Sequence, residues 1–129
     1  MWEHCGMARN EKGLKYAIAE IQKLREEFYQ DVKVPGTMNS FNPELDKAGR
    51  VADFLELGEL MCVDALERNE SCGGHFREEY QTPEGEALRD DVNYKYVSAW
   101  EYTGKPSEAK LNKEELKYEN IELKQRSYK

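Results

Sequence analysis

The sequence lacks a long apolar run, a basic patch and a paired cysteine motif. No stretch reaches the ~20 apolar residues that a membrane-spanning helix needs, and the N-terminus lacks the basic-then-apolar layout of a secretory signal. With 26 acidic residues against 19 basic ones, the net charge of -7 disfavours a nucleic-acid partner, because phosphate binding needs a concentrated cationic surface. Cys5, Cys62 and Cys72 form no CxxC pair, which favours a reducing, cytoplasmic compartment.

Common catalytic signatures are also missing, among them GxGxxG, GxxxxGK[ST], GxSxG and HExxH. His4-Cys5 and Cys72-x-x-His75 offer zinc ligands, but the first pair is adjacent rather than spaced, which disfavours a zinc site. Six glutamates on the predicted helices resemble metal-binding carboxylates, yet neither histidine lies in a Glu-x-x-His pair, so a solvated charged face is expected. These are Glu11, Glu20, Glu26, Glu27, Glu56 and Glu59. We therefore predict no catalytic, cofactor-binding or metal-binding residue in this chain.

One amphipathic helix is predicted from Glu11 to about Val32. Asn10 suits its N-cap, and Pro35-Gly36 ends the unit. Its apolar residues recur at alternating spacings of three and four. They are Leu14, Ala17, Ile21, Leu24 and Phe28. A short helix is expected over Met1 to Ala8 around Trp2, and an exposed tryptophan there suggests a piece of a longer chain.

A second helix is predicted from Pro43 to about Asn69, with Asn42 as N-cap and proline at the first helical position. Gly49 and Gly58 cost about 1 kcal/mol each relative to alanine and are expected to allow close approach by another element. Two apolar stripes run along this helix, which predicts burial against more than one partner. They are Leu45, Ala48, Ala52, Leu55, Cys62 and Leu66, and Val51, Phe54, Leu57, Met61 and Ala65.

The pattern changes after residue 70. Turns are predicted at Ser71–Gly74 and Thr82–Gly85. Period-two alternation from Val92 to Tyr102 predicts an aromatic-faced strand, and Leu116–Tyr118 with Ile121–Leu123 predicts one or two returning strands. Because so few strands are marginal in water, the aromatic face needs a cover.

The loop after the second helix is the candidate site. Its glycines permit backbone conformations closed to other residues, and its arginine offers a planar fork of donors. We predict an interdomain docking role for Glu70, Ser71, Gly73, Gly74, His75 and Arg77. Simple helix termination stays open, and so does capping of the second helix's carbonyls by Arg77.

Residues 70–77 (ESCGGHFR), followed by residues 89–93 (RDDVN), resemble a segment of succinate dehydrogenase and fumarate reductase flavoprotein subunits. Residues 5–9 (CGMAR), 57–61 (LGELM) and 125–128 (QRSY) agree with the same family, so the resemblance covers essentially all 129 residues in order. Cys72 stands where many members carry arginine and resembles the branch anchored by a single cytochrome b subunit. Nothing that depends on that arginine's charge is carried over.

The resemblance implies a mainly α fold, a three-helix, spectrin-repeat-like bundle over residues 1–75 with a loop and a small C-terminal β extension over 76–129. The whole chain, 1–129, would form one C-terminal domain that packs on the flavin-binding and capping domains of a full-length subunit. FAD would be bound by that subunit and not by this fragment.

The resemblance also implies a function. The full-length subunit would interconvert succinate and fumarate, passing electrons to an iron-sulfur subunit and a quinone, with a membrane cytochrome b subunit as an indirect partner. The complex would lie on the cytoplasmic, inner face of the cell membrane, and the fragment alone would not be catalytic. The alternative is a free-standing acidic helical adaptor that binds another protein. The physiological direction of the reaction is left open.

Overall fold

In the computed structural model, which describes residues 1–125, two long helices form the main body of the chain. The helices pack against each other, and a β-hairpin packs on the second one. The elements in chain order are β1 (Ala8–Arg9), α1 (Glu11–Asp31), α2 (Pro43–Glu67), β2 (Phe76–Arg77), α3 (Asp91–Tyr94), β3 (Tyr96–Glu101), a 3-10 turn (Pro106–Glu108) and β4 (Lys110–Glu115).

Helix α1 begins where the sequence predicts. The Asn10 side chain accepts a 2.8 Å hydrogen bond from the backbone N–H of Gly13, which satisfies one of the unpaired donors of the first turn. The buried part of the predicted stripe consists of Leu14, Ala17 and Ile21. Beyond these residues the stripe emerges from the core, so the core lies toward the N-terminal half of α1.

Helix α2 begins at Pro43, with the Asn42 side chain accepting from the N–H groups of Glu44 and Leu45. The helix ends at Glu67, two residues before the predicted end. Of its two glycines, only Gly58 is approached closely. A Cβ there would lie 3.4 Å from Met1 Sδ, so this glycine admits the N-terminal segment.

The second apolar stripe of α2 is largely exposed. Ala65 is a core residue that the second stripe contributes, whereas the first stripe contributes the core residue Cys62 together with the partly buried Leu55 and Leu66. The second stripe leaves four large apolar side chains 44–64% exposed. They are Val51, Phe54, Leu57 and Met61. Within residues 1–125, α2 therefore buries one flank of its apolar arc against α1 and exposes the other.

The predicted three-helix, spectrin-repeat-like bundle is wrong. Residues 1–125 contain two long helices, and the third, α3, has four residues. The segment Met1–Ala8, expected to be helical, forms turns and the start of β1. After α2 the chain has turn residues and no 3.6-residue apolar period, so it cannot bury a helical face against the pair.

The C-terminal part is an antiparallel hairpin of β3 and β4. Strand β3 begins at Tyr96 rather than Val92, because the Asp90 side chain accepts from the N–H of Asn93 and starts α3 instead. Strand β4 precedes the predicted returning strands and has the charged sequence KLNKEE, which carries no alternating apolar signal. Trp100 Nε1 donates a 2.8 Å hydrogen bond to Asp64 Oδ1, and this bond holds the hairpin on α2.

Glu59 does not lie on a solvated face, so the expectation for the six helix glutamates is wrong at this residue. Its side chain is 0% exposed, pairs with Arg25, and accepts a 2.8 Å hydrogen bond from Gln22 Nε2. Burial of a carboxylate requires such partners. Glu59 lies between Leu55 and Cys62 on the stripe that faces α1, so its position on the helix explains its burial.

No helix within residues 1–125 is long and apolar enough to cross a membrane.

Candidate docking site

The candidate loop projects a two-residue glycine turn. The N–H of Cys72 donates to the carbonyl oxygen of His75 at 2.8 Å, and the N–H of His75 donates back to Cys72 at 3.0 Å. Between them, Gly73 has φ +60°, a left-handed conformation that favours glycine. Gly73 and Gly74 are both exposed. The tip of the loop is therefore bare backbone that another surface could approach closely.

Ser71 fixes the base of this turn. Its hydroxyl accepts from the N–H of Arg77 at 2.8 Å and donates to the carbonyl oxygen of Arg77 at 3.1 Å. The N–H of Ser71 donates to the carbonyl oxygen of Leu88 at 2.8 Å. Ser71 is 0% exposed, and its hydroxyl links the two ends of the loop.

Glu70 ties the loop to the C-terminal part of the chain. One carboxylate oxygen accepts from Arg68 Nη1 at 2.7 Å, and the other accepts from the N–H of Asp90 at 2.8 Å. The Arg68 guanidinium donates further 3.0 Å hydrogen bonds to the carbonyl oxygens of Tyr94 and Tyr96. The end of α2, the loop and the start of β3 thus share one charge-assisted network.

Arg77 is bound inside the domain. It is 1% exposed, and its Nη1 donates to the carbonyl oxygens of Ala65 at 2.9 Å and Leu66 at 3.2 Å. Its Nε donates to Glu79 at 3.1 Å. Although burial opposes ionisation of Glu79, hydrogen bonds from the N–H of Glu11 and from Arg77 lower the pKa of this carboxyl group. This is the helix-capping arrangement that the sequence left open.

His75 lies at the edge of the loop with both ring nitrogens bonded. Because a guanidinium can only donate, His75 Nδ1 accepts from Arg9 Nη1 at 3.0 Å, and Nε2–H donates to the carbonyl oxygen of Arg68 at 2.9 Å. Burial lowers the pKa of His75, and the positive charges of Arg9, Arg77 and Arg68 act in the same direction. The imidazole is therefore neutral at neutral pH.

All six predicted residues lie in one loop, but their surroundings differ. Glu70, Ser71 and Arg77 are buried, His75 is half-buried, and the two glycines are exposed. Sequence reasoning missed the roles of Arg68 and Arg9. Arg9 had one signal, its position in the CGMAR block of the resemblance, whereas Arg68 had none. The docking role of the six residues stays a prediction.

A groove lies beside the glycine turn. Its volume is about 420 Å³, and two of its apolar side chains, Trp2 and Met7, are 95% and 90% exposed. The remaining lining residues are Cys5, Gly6, Arg9 and Gly74. The loop and the N-terminal segment therefore form one continuous surface, which combines exposed backbone with two large apolar side chains.

The helix N-termini do not fit a dinucleotide phosphate. At α1, the carboxylate of Glu79 accepts from the N–H of Glu11 at 2.6 Å, so an anion already takes the place of a phosphate. At α2, Glu44 and Asp46 lie in the first turn and would repel one. Residues 1–125 also bring no three His, Cys, Asp or Glu side chains into a group that could hold a metal ion. The N-termini of α1 and α2 are therefore not free to bind a phosphate group.

Two long α-helices, a β-hairpin on the second of them and a glycine loop closed by Ser71 define a small helical domain. A family profile described as "Fumarate reductase flavoprotein C-term" matches residues 1–128. The fumarate reductase flavoprotein subunit of Escherichia coli is 33% identical over 94 residues, which is 73% of this chain and 15% of the relative. The succinate dehydrogenase flavoprotein subunit of Coxiella burnetii is 32% identical over the same length, again 73% of this chain and 15% of the relative.

The fold agrees with these sequence matches. A variant of the Escherichia coli quinol fumarate reductase has a chain that aligns with a TM-score of 0.78 and 27% identity, over 95% of this chain and 20% of that one. The chain belongs to the family of C-terminal domains of fumarate reductase and succinate dehydrogenase flavoprotein subunits. It matches about one seventh of the length of these curated relatives.

Proposed function

We propose that this chain is the C-terminal domain of an FAD-dependent subunit that interconverts succinate and fumarate. The observation that carries the proposal is the family match over residues 1–128. Flavoprotein subunits of fumarate reductase and succinate dehydrogenase are oxidoreductases, and both occur among the relatives. In this proposal the flavin chemistry belongs to the rest of such a subunit, since the chain matches only 15% of the length of these relatives.

The domain contributes a docking surface to that subunit. The exposed Gly73-Gly74 turn and the groove with Trp2 and Met7 face the flavin-binding and capping domains of the same full-length chain. The turn is held in place from its base by Glu70, Ser71, His75 and Arg77. Large apolar side chains beside bare backbone are typical of a surface that another protein surface covers.

The proposal also includes the wider partners that the resemblance implies. The full-length subunit passes electrons to an iron-sulfur subunit and from there to a quinone, with a membrane cytochrome b subunit as an indirect partner. FAD is bound by the full-length subunit. The complex lies on the cytoplasmic, inner face of the cell membrane.

The test is to read the coding sequence upstream of Met1 and to assay its product. The full-length protein should contain FAD, reduce a dye acceptor with succinate and oxidise a reduced viologen dye with fumarate. The 129-residue chain, assayed in parallel with added FAD, should do neither. A coding sequence that adds no flavin domain, or a full-length product inactive with both substrates, would contradict the proposal.

A further inference from the structure

Arg9 differs from every other arginine in residues 1–125 because it forms no ion pair there. Its Nε donates to the carbonyl oxygen of Gly6 at 2.9 Å, and its Nη1 donates to His75 Nδ1 at 3.0 Å, so both acceptors are neutral. A guanidinium stays protonated, and Arg9 therefore carries a full positive charge without a counter-ion in this part of the chain. Each of the others pairs with a carboxylate: Arg25 with Glu59, Arg50 with Asp46, Arg68 with Glu70, Arg77 with Glu79, and Arg89 with Asp91.

The Arg9 guanidinium is held in place but keeps free donors. It has five N–H groups, and the bonds to Gly6 and His75 use two of them. Three remain, including both on Nη2, and no acceptor within residues 1–125 bonds them. The tight turn that contains the Gly6 carbonyl requires glycine, because a Cβ at that residue would lie 2.4 Å from the carbonyl oxygen of Trp2. The side chain is thus oriented and still able to bind an anion.

Arg9 lines the groove beside the glycine turn, together with the exposed side chains of Trp2 and Met7 and the backbone of Gly74. Arg9 itself is half-buried. A surface that covered the apolar side chains would also remove the rest of the guanidinium from water. Burying a charge is costly unless the charge is paired and hydrogen-bonded. A covering surface must therefore supply the carboxylate that residues 1–125 do not.

We infer that Arg9 anchors the docked domain by binding an Asp or Glu side chain of the flavin-binding domain, with apolar neighbours of that carboxylate packing on Trp2 and Met7. The inference rests on the proposed function, since it names the chemistry of the partner at the same surface. A guanidinium fork can bind a carboxylate through two parallel hydrogen bonds, which fixes orientation as well as attraction. In a chain of net charge -7, one unpaired arginine gives an acidic partner a single place to bind.

The contact is tested in the full-length subunit carrying Arg9→Lys. A water-soluble carbodiimide joins an amine to a carboxylate only where the two are in contact. Peptide mapping should find an amide bond from position 9 to an Asp or Glu encoded upstream of Met1. Lys15, which pairs with Glu11 on the exposed face of α1, is the internal control and should link to that residue. Arg50→Lys is the matched variant, and position 50 should link to Asp46 within this chain.

A second measurement separates charge from local packing. Arg9→Met removes the positive charge, whereas Arg9→Lys keeps it, and both lose the guanidinium fork. FAD release from the full-length subunit should be at least about tenfold faster in Arg9→Met and within about twofold of the parent in Arg9→Lys, because truncating one partner of a desolvated charge pair leaves the other unpaired. Arg50→Met should release FAD at the parental rate, since its pair with Asp46 is exposed on α2.

Two results would overturn the inference. One is a subunit in which Lys15 links to Glu11 while position 9 forms no link, or links only to residues 1–129 of the same or a second molecule. The other is equal FAD release from Arg9→Met and Arg9→Lys. Either result in an active subunit would leave the proposed function standing. A full-length product that lacks FAD, or is inactive with both substrates, would refute the proposed function and this inference with it.

Discussion

The guanidinium of Arg77 donates a 2.9 Å hydrogen bond to the carbonyl oxygen of Ala65. The last carbonyls of any helix lack partners within the helix, and basic side chains near that end commonly supply them. Helix α2 has no basic residue in its last turn, so the donor comes from the loop twelve residues further along the chain. Through this contact the position of the loop depends on the C-terminal end of α2, and that end depends on the loop for a hydrogen-bond donor.

Replacing Arg77 with methionine should destabilise the chain by about 1–3 kcal/mol, because the carbonyls of Ala65 and Leu66 lose a buried donor. Urea unfolding measures this loss. Arg50→Met is the matched control, since Arg50 pairs with Asp46 on the exposed face of α2 and such pairs contribute little. Equal losses in the two variants would mean that the cap does not stabilise the helix end.

The buried ion pair between Arg25 and Glu59 leads to a second prediction. Glu59→Leu leaves Arg25 and Gln22 without their acceptor and should cost about 3 kcal/mol. Adding Arg25→Met should restore stability to within about 1 kcal/mol of the parent, because a buried pair can be replaced by apolar groups at little cost. Thermal unfolding of the single and double variants tests this. A double variant as unstable as Glu59→Leu would show that lost packing, rather than an unpaired charge, is responsible.

The sequence predicted the start of both long helices because their signals are local. Asn10 and Asn42-Pro43 cap the first turns through contacts within a few residues. Strand β4 could not be found this way, because its charged residues form a strand only through pairing with β3. The three-helix expectation rested on the resemblance alone, and no apolar period after α2 supported a third long helix.

In the candidate site, too, only the features with local sequence signals could be predicted. The glycine turn could be predicted, because Gly73 and Gly74 are local turn signals. The burial of Glu70 and Arg77 could not, because their partners come from α2 and from the start of α3. Charged residues in a loop are usually solvated, and only the fold shows that these two lie beneath the turn.

His75 should make stability dependent on pH. Burial and three neighbouring arginines lower the pKa of His75 in the folded chain. In the unfolded chain its pKa is about 6.5, so as pH falls below this value the unfolded state binds the proton first and folding loses stability. His75→Gln should remove this part of the loss between about pH 7.5 and 5, measured by urea unfolding at each pH. His4→Gln is the control. An unchanged pH profile in His75→Gln would contradict the prediction.

Gly73 and Gly74 provide a matched pair for backbone strain. Gly73 has φ +60°, whereas Gly74 does not have a positive φ, and a Cβ at either residue would meet nothing within 4 Å. Gly73→Ala should therefore destabilise the chain by about 1–2 kcal/mol through strain alone. Gly74→Ala should lie within about 0.5 kcal/mol of the parent. Thermal melts of both variants decide the matter, and equal stabilities would argue against the left-handed turn.

The proposed docking surface can be tested by placing a large charged side chain at the tip of the glycine turn. Gly74→Glu should leave the melting temperature of the 129-residue chain nearly unchanged, because Gly74 is exposed with open space around it. In the full-length flavoprotein the same substitution would bury an unpaired carboxylate against the flavin domain, which is costly. Lower thermal stability and faster FAD loss are therefore expected in that protein alone. Gly49→Glu, at an exposed and equally open position on α2, is the control: it replaces a helical glycine that costs about 1 kcal/mol, so it should lower the stability of neither protein and leave FAD retention unchanged. If Gly74→Glu proves as harmless in the full-length protein as Gly49→Glu, the loop does not dock.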